Sequence, residues 1–184
     1  MPSSRLLLFT GLGLVLGACA TTRPSSPGRL FAFLGPNRFD RHGLEQGRWR
    51  TYYDDARTQP YTAGRFRHWR AVGTYRYFAP NGVLDHSEEY GKAGACEVTY
   101  WYANGQVARR GHAQWDTGAK GARFYWLGPW VSFGERGDTT ALEQYADGKQ
   151  LSRLVYQNGR RATLETYNRN GRLLSEQRLV KSGE

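Results

Sequence analysis

The stretch GTYRYFAPNG, residues 73–82, decides the fold of this chain. It carries aromatic residues between two glycines, and it ends in Asn-Gly. Aromatic residues favour β-strands, whereas Asn-Gly accepts the positive φ angles that a two-residue type I′ hairpin turn requires. The stretch therefore predicts a short strand that ends in a hairpin turn.

The same two features recur along the chain. The pattern Gly-x-aromatic-x-x-aromatic occurs as GRWRTY from Gly47, GRFRHW from Gly64, GTYRYF from Gly73 and GPWVSF from Gly128. An aromatic residue followed by a turn that ends in glycine occurs at 78–82, 102–105, 133–137, 145–148, 156–159 and 167–171. The glycines predicted to punctuate the repeats are Gly47, Gly73, Gly82, Gly105, Gly128, Gly148, Gly159 and Gly171. Strands of about five or six residues on both sides of each turn predict a repeat of roughly eleven or twelve residues.

These repeats predict an all-β fold, an elongated antiparallel β-hairpin meander that forms a single twisted sheet. No window shows the sustained 3.6-residue apolar period of a helix. We expect the aromatic residue before each turn to pack on its equivalents and form a ladder on one face. The phase of the repeat is left open over residues 54–63 and 85–100, and residues 113–126 are interpreted as an insertion or a long loop.

The repeated units resemble MORN repeats, in particular the variant units of the bacterial proteins called YwqK-family antitoxins. The resemblance covers residues 37–181 and begins with NRFDRHGLEQGRW, in which Asp40, Gly43, Gly47 and Trp49 fit the unit. It implies an elongated hairpin sheet that serves as a scaffold or a recognition surface.

Residues 1–18 resemble the signal peptide of a bacterial lipoprotein. Arg5 precedes an apolar stretch that is too short to span a bilayer. The sequence Leu16-Gly17-Ala18-Cys19 resembles a lipobox, which implies cleavage before Cys19 and a lipid anchor on that cysteine. Residue 20 is alanine rather than aspartate, which favours the outer membrane in a cell with two membranes. We therefore expect a lipid-anchored protein of the cell envelope.

The rest of the chain is predicted to form a tether and one domain. Residues 19–36 contain the lipidated cysteine and a small, polar, proline-containing tether, and residues 37–181 form the β-repeat domain. If Cys19 carries lipid, Cys96 is the only remaining thiol, so an intramolecular disulfide is excluded. We expect Cys96 to be a small buried strand residue, with a reactive thiol as the alternative.

The chain is strongly basic, with a formal net charge of +10 that falls to +9 when the segment containing Arg5 is removed. In the cytosol this charge and the many aromatic residues would suggest nucleic acid. Export places nucleic acid out of reach, so we predict no nucleic-acid partner. Anionic lipid headgroups, cell-wall polymers or an acidic protein then become the expected counter-charges. The alternative is that the basic surface only keeps the protein soluble.

The sequence offers no constellation typical of an enzyme, a metal site or a cofactor site. The four histidines, His42, His68, His86 and His112, lie far apart and lack zinc-ligand spacing. The cluster of residues 85–89 contains hydrolytic residue types, but neighbouring residues of a strand point to opposite faces, so we interpret it as a solvated turn and strand start. We predict no catalytic residues, no metal and no cofactor.

Aromatic rings bind sugars, and arginines bind carboxylates or phosphates, so these residues define the candidate binding surface. Its members are Trp49, Trp69, Tyr77, Trp101, Trp130, Arg50 and Arg70. The alternative is that the rings form the ladder and arginine stems cover them. We predict a non-catalytic, lipid-anchored scaffold or protein-recognition surface, possible roles including immunity-like neutralisation of an incoming toxin. The alternative function is a module that binds cell-wall polysaccharide or anionic lipid.

Overall fold

The computed structural model describes residues 35–118 and 121–179. The strands are β1 (Arg38–Phe39), β2 (Glu45–Tyr52), β3 (Pro60–Arg67), β4 (Arg70–Ala71), β5 (Gly73–Phe78), β6 (Leu84–Tyr90), β7 (Ala95–Trp101), β8 (Val107–Gly118), β9 (Gly121–Phe133), β10 (Thr139–Ala146), β11 (Lys149–Gln157), β12 (Arg160–Tyr167) and β13 (Leu173–Arg178). Between β6 and β7 lies a single 3-10 turn, Lys92–Gly94. The predicted signal peptide, the lipobox with Cys19 and most of the tether lie outside the described residues.

All thirteen strands form one antiparallel sheet. Each strand pairs with the next one along the chain, with one exception. The two-residue strand β4 pairs with β3 but lies off this path, and the sheet continues from β3 to β5. The predicted fold class, an all-β hairpin meander in a single sheet, is confirmed.

A ladder of aromatic rings runs across one face of the sheet, which we call the aromatic face. Its members are Phe39, Trp49, Phe66, Tyr75, Tyr77, His86, Tyr100, Trp126, Trp130 and Tyr145, and neighbouring ring centroids lie between 4.0 and 6.3 Å apart. The ladder is as expected, but its composition differs from the prediction. Its main contributors are the first aromatic residues of the Gly-x-aromatic pattern, whereas only Tyr145 comes from the positions before turns. The reason is strand alternation, because residues two apart, such as Tyr75 and Tyr77, share a face.

The Asn-Gly and Asp-Gly sites divide into two kinds of turn. Asp147-Gly148 and Asn158-Gly159 have positive φ at both residues, as the type I′ prediction requires. At Gly82, Gly105 and Gly171 the preceding asparagine has no positive φ, and the glycine N–H donates to the carbonyl three residues earlier. These three sites close longer loops in which glycine alone takes the left-handed conformation, so the type I′ prediction is wrong there.

Two of the predicted turn glycines lie inside strands. Gly47 in β2 and Gly128 in β9 have φ of +80° and +68°. Beside Gly128 the register between β8 and β9 shifts, so this glycine accommodates a β-bulge. Gly73 has φ of +63° and begins β5.

The uncertain stretches also become defined. Residues 54–59 form a loop in which the Asp54 carboxylate accepts hydrogen bonds from the Thr58 and Gln59 backbone N–H groups. Residues 113–118 and 121–126 are not a loop, because they lie in β8 and β9, which pair with each other. Residues 85–89 do lie at the start of a strand, because β6 begins at Leu84, but the predicted solvated turn is wrong, and Glu88 is only 5% exposed. Cys96 is buried, as expected.

Candidate functional site

A groove of about 800 Å³ lies on the aromatic face, between the β3–β5 region and the far part of β8. Its aromatic lining consists of Tyr61, Phe66, Trp69, Tyr75, Tyr77, Tyr90 and Trp115. We call it the aromatic groove. A volume of this size is typical of ligand pockets, which range from about 300 to 1,000 Å³.

The rim of the groove is formed by two tryptophans that are distant in the sheet. The rings of Trp69 and Trp115 meet edge to face with centroids 5.0 Å apart. Trp69 lies in the turn between β3 and β4, whereas Trp115 lies in β8, and three strands, β5, β6 and β7, separate β3 from β8. The contact therefore requires the sheet to curl, with the aromatic face on its concave side.

Trp115 is held in place by the turn between β6 and β7. The Gln114 side-chain amide donates to the carbonyl of Ala93 at 2.7 Å. A Cβ atom at Gly94 would overlap the Trp115 carbonyl oxygen, so the turn approaches β8 as closely as a glycine permits. Gly94 has φ of +81°, a further reason for glycine at this position.

Trp69 is held in a conformation that its residue type disfavours. The β3–β4 turn consists of His68 and Trp69, with φ of +47° and +61°. Positive φ is unusual for a bulky residue. The turn is fixed from β2: Trp69 N–H donates to the Glu45 carbonyl at 2.9 Å, and His68 N–H donates to Gln46 Oε1 at 3.0 Å.

The side chain of His68 adds a third attachment to this turn. His68 Nδ1 lies 2.7 Å from Asp40 Oδ2. That hydrogen bond, together with backbone N–H donors, lowers the pKa of Asp40 to about 2. Asp40 therefore carries a negative charge over the whole ordinary pH range and holds the turn throughout it.

The floor of the groove rests on a buried carboxylate. Glu88 Oε2 accepts hydrogen bonds from the hydroxyls of Tyr77 at 3.0 Å and Tyr90 at 2.7 Å. Burial and the negative charge of Glu88 raise the pKa of both tyrosines. The Tyr75 hydroxyl is similarly within 3.1 Å of Thr62 Oγ1. Because these hydroxyls are bonded inside the protein, the tyrosines offer the groove mainly their apolar rings.

Two charged residues border the groove. Arg70 is exposed, and its Cζ atom lies 6.0 Å from the centroid of the Trp69 ring. Asp116 also lies at the border, but its carboxylate points to the opposite face, where it accepts a hydrogen bond from the Tyr125 hydroxyl at 3.1 Å. The groove thus combines flat apolar surfaces with a cationic group at its border.

The acid and histidine cluster of β6 is only partly assembled beside the groove. His86 stacks on Tyr77 at 4.1 Å, its Nδ1 lies 2.6 Å from Asp85 Oδ2, and its Nε2 lies 3.9 Å from Glu88 Oε1. His112 pairs in register with Glu97 on the opposite face, so it does not join them. Burial raises the pKa of the Cys96 thiol to about 12. Within residues 35–118 and 121–179, no group of three potential metal-ligating side chains could hold an ion.

The structure separates the seven residues of the predicted binding surface. Trp69, Arg70 and Tyr77 come together at the groove. Trp130 is fully buried, so it is a core residue and is not available as a contact. The remaining three are Trp49, which lies in the ladder, and Trp101 and Arg50, which lie on the opposite face.

Sequence reasoning missed several groove residues. Trp115 and Asp116 lie in the stretch whose sequence suggests an insertion or a long loop, although alternation across residues 113–117 could have indicated a strand. Glu88 was missed because an acidic residue is seldom fully buried.

Comparison with known proteins adds no identity: no protein-family model matches the chain, and neither does any curated protein. The resemblance of residues 37–181 to MORN repeats and to YwqK-family antitoxins therefore stays a prediction. In the part of the chain that the structure describes, no helix is long and apolar enough to cross a membrane.

Proposed function

We propose that this protein is a non-catalytic recognition module of the cell envelope, tethered by a lipid on Cys19, and that it binds its ligand in the aromatic groove. The observation that carries the proposal is the convergence of Trp69, Arg70 and Tyr77 with Trp115 around one groove. Concave, mainly apolar pockets with a few polar groups are the usual form of a binding site.

The backbone at the rim supports this proposal. Residues in sparsely populated φ/ψ regions are destabilising, and they persist mainly where the surrounding structure holds them for a purpose. Here three hydrogen bonds hold His68 and Trp69 in such a conformation, and the result is a tryptophan ring at the entrance to a groove.

The envelope location is tested by labelling cells with palmitate and fractionating them. We expect the wild-type protein to carry label and to sediment with membranes, whereas Cys19→Ala should lose both properties. An unlabelled, cytosolic wild-type protein would contradict the envelope proposal, and nucleic acid would return as a candidate partner.

Recognition through the groove is tested by binding to isolated envelope material. Trp115→Ala removes a rim ring, so we expect binding to fall. Trp101→Ala is the matched control, because its side chain lies on the opposite face, where Trp101 Nε1 lies 3.3 Å from Ser87 Oγ. Equal binding by the two variants would rule out the groove as the recognition site.

A protein partner at the sheet edge is the second candidate function. All residues of β13 are exposed, and Leu173 and Leu174 keep 46% and 65% of their surfaces accessible. An open edge strand can pair with a strand of a partner. This edge could carry the scaffold role, or immunity-like neutralisation of an incoming toxin.

The edge hypothesis has its own test. Leu174→Lys places a charge on β13 and should weaken a partner held at that edge, while binding in the groove stays unchanged. If deletion of the protein leaves the sensitivity of the cell to neighbouring toxins unaltered, the immunity role is wrong.

A further inference from the structure

We propose that the aromatic groove binds a carbohydrate chain built of β-linked, gluco-configured pyranose rings, and that the strained turn His68–Trp69 exists to hold a sugar-stacking ring at its rim. This inference rests on the proposed function and names its ligand. It is carried by the chemistry of the lining, the charge at the border and the cost of the turn.

The lining favours sugar rings over an acyl chain or an apolar peptide segment. Seven aromatic rings line the groove, and among the described lining residues Val72 is the only aliphatic side chain larger than alanine. A flexible acyl chain packs equally well on aliphatic and aromatic walls, so it would not require a lining made almost wholly of aromatic rings. In β-linked gluco-configured pyranoses the substituents are equatorial, so each ring presents a flat face of axial C–H groups. Such a face is complementary to the electron-rich face of an aromatic ring.

The border of the groove supplies what sugar hydroxyls require. The planar guanidinium of Arg70 can form two parallel hydrogen bonds with neighbouring hydroxyl groups. The hydroxyls of Thr51 and Thr117 add groups that both donate and accept. The arrangement of apolar rings with polar groups at the margin matches the alternation of C–H faces and hydroxyl edges in a sugar chain.

A small organic cation, the other usual ligand of clustered aromatic rings, fits less well. The guanidinium of Arg70 already lies near the Trp69 ring and would repel a second cation there. A groove of about 800 Å³ also far exceeds the volume of a quaternary ammonium group, whereas it accommodates more than one sugar ring.

The turn supplies an independent observation. Two other two-residue hairpins of this sheet use Asp147-Gly148 and Asn158-Gly159, residue types that accept positive φ readily. The β3–β4 turn has the same positive φ angles but uses His68 and Trp69. If the turn were only architectural, Asn-Gly would serve better. A tryptophan in this position is explained by what its ring does at the rim.

The test measures binding of cellotetraose and chitotetraose to the full chain by calorimetry and tryptophan fluorescence. The decisive variant is the double substitution His68→Asn with Trp69→Gly, which gives the turn a favourable sequence and removes the ring. We expect it to keep the melting temperature of the wild type and to weaken sugar binding by about tenfold or more. Trp115→Ala should weaken binding similarly, and Trp101→Ala should leave it unchanged.

Each other outcome is informative. If neither sugar binds the wild type, or if the double variant binds as tightly as the wild type, the inference is wrong. Binding of choline that the sugars do not displace would assign the groove to an organic cation and also overturn it. If isolated envelope material still binds in a Trp115-dependent way while both sugars fail, the proposed recognition function survives and only its ligand class falls.

Discussion

Two rings of the aromatic face lie over glycines of the neighbouring strand, yet they belong to regions of opposite character. Tyr75 covers Gly64, and Trp130 covers Gly111; in both cases a Cβ atom on the glycine would overlap the ring. Trp130 is wholly buried in the core, whereas Tyr75, which is 7% exposed, lines the aromatic groove. The same ring-over-glycine unit thus serves a closed core in one place and an open site in the other.

The two regions differ in the side chains that pack on Trp130 and on Tyr75. Above Trp130, the Trp126 ring stacks with a centroid distance of 4.0 Å, and the Arg109 guanidinium lies 5.0 Å from the Trp130 centroid. Arg109 is fixed in turn by Glu143 and by the Tyr145 hydroxyl, the latter at 2.9 Å. Tyr75 is also largely buried, but its neighbouring rings Phe66 and Tyr77 meet it edge to face or tilted, at 5.5 and 5.4 Å, and among the described residues no ring stacks on it. Trp130 is therefore enclosed in the core, whereas Tyr75 forms part of the wall of the groove.

The largest effect should come from removing the covered ring. Trp130→Ala deletes a fully buried side chain and leaves a cavity, so it should lower the free energy of unfolding by about 3–5 kcal/mol. Urea denaturation followed by circular dichroism measures the change. Trp115→Ala, which removes a ring from the rim, is the control and should cost less than half as much. Comparable losses would mean that the rim is as much a part of the core as Trp130.

A methyl group beneath each ring sharpens the comparison. Gly111→Ala should lower the free energy of unfolding by about 3 kcal/mol, because Trp130 is clamped between its neighbours and cannot move. Gly64→Ala should cost only about 1 kcal/mol, because the Tyr75 ring can shift into the groove.

Gly35→Ala is the matched control for both substitutions, because nothing lies within 4 Å of the added Cβ atom. Its unfolding curve should coincide with that of the wild type. If Gly64→Ala proves as costly as Gly111→Ala, then Tyr75 is as rigidly held as Trp130, and the proposed contrast between the two regions fails.

The sequence predicts the sheet better than it predicts the groove, and the two rings explain why. The hairpin meander follows from local signals such as Asn158-Gly159, whose type I′ geometry depends on two residues alone. The groove depends on contact between Trp69 and Trp115, which meet only because the sheet curls. Twist and curl accumulate over many strand pairs, so no short pattern reports them.

The sequence also does not indicate which aromatic residues are buried in the sheet. Trp130 and Trp69 occur in the same Gly-x-aromatic-x-x-aromatic pattern, at the first and the second aromatic position respectively. The pattern does not indicate that residues 68 and 69 form a turn, since positive φ is rare for a bulky residue such as tryptophan. A functional constraint that overrides turn preference is the kind of feature on which local prediction fails.

Alkaline pH should destabilise the protein through the tyrosines at the floor of the groove and through Cys96, which lies in the core cluster with Trp130. Burial raises the pKa of Tyr77, Tyr90 and Cys96 above their ordinary values. The unfolded chain therefore loses these protons first, so their contribution to stability is full below about pH 9 and declines as the pH rises further. Urea unfolding at pH 8 and pH 11 measures the decline. Tyr90→Phe removes one ionisable group and should make the decline shallower; an unchanged pH dependence would contradict the assignment.

The smallest expected effect concerns the anchor of the strained turn. Because the pKa of Asp40 is lowered to about 2, its contribution to stability is present above the ordinary pKa near 3.8 and disappears as the pH falls toward 2. Asp40→Asn should therefore lower the melting temperature slightly at pH 6 and make no difference below pH 2. The same substitution loosens only one of three hydrogen bonds that hold His68 and Trp69, so it should reduce ligand binding less than loss of the Trp69 ring does. A melting-temperature difference between Asp40→Asn and the wild type that persists below pH 2 would show that the effect of Asp40 does not come from its charge, and it would contradict the role assigned to the carboxylate.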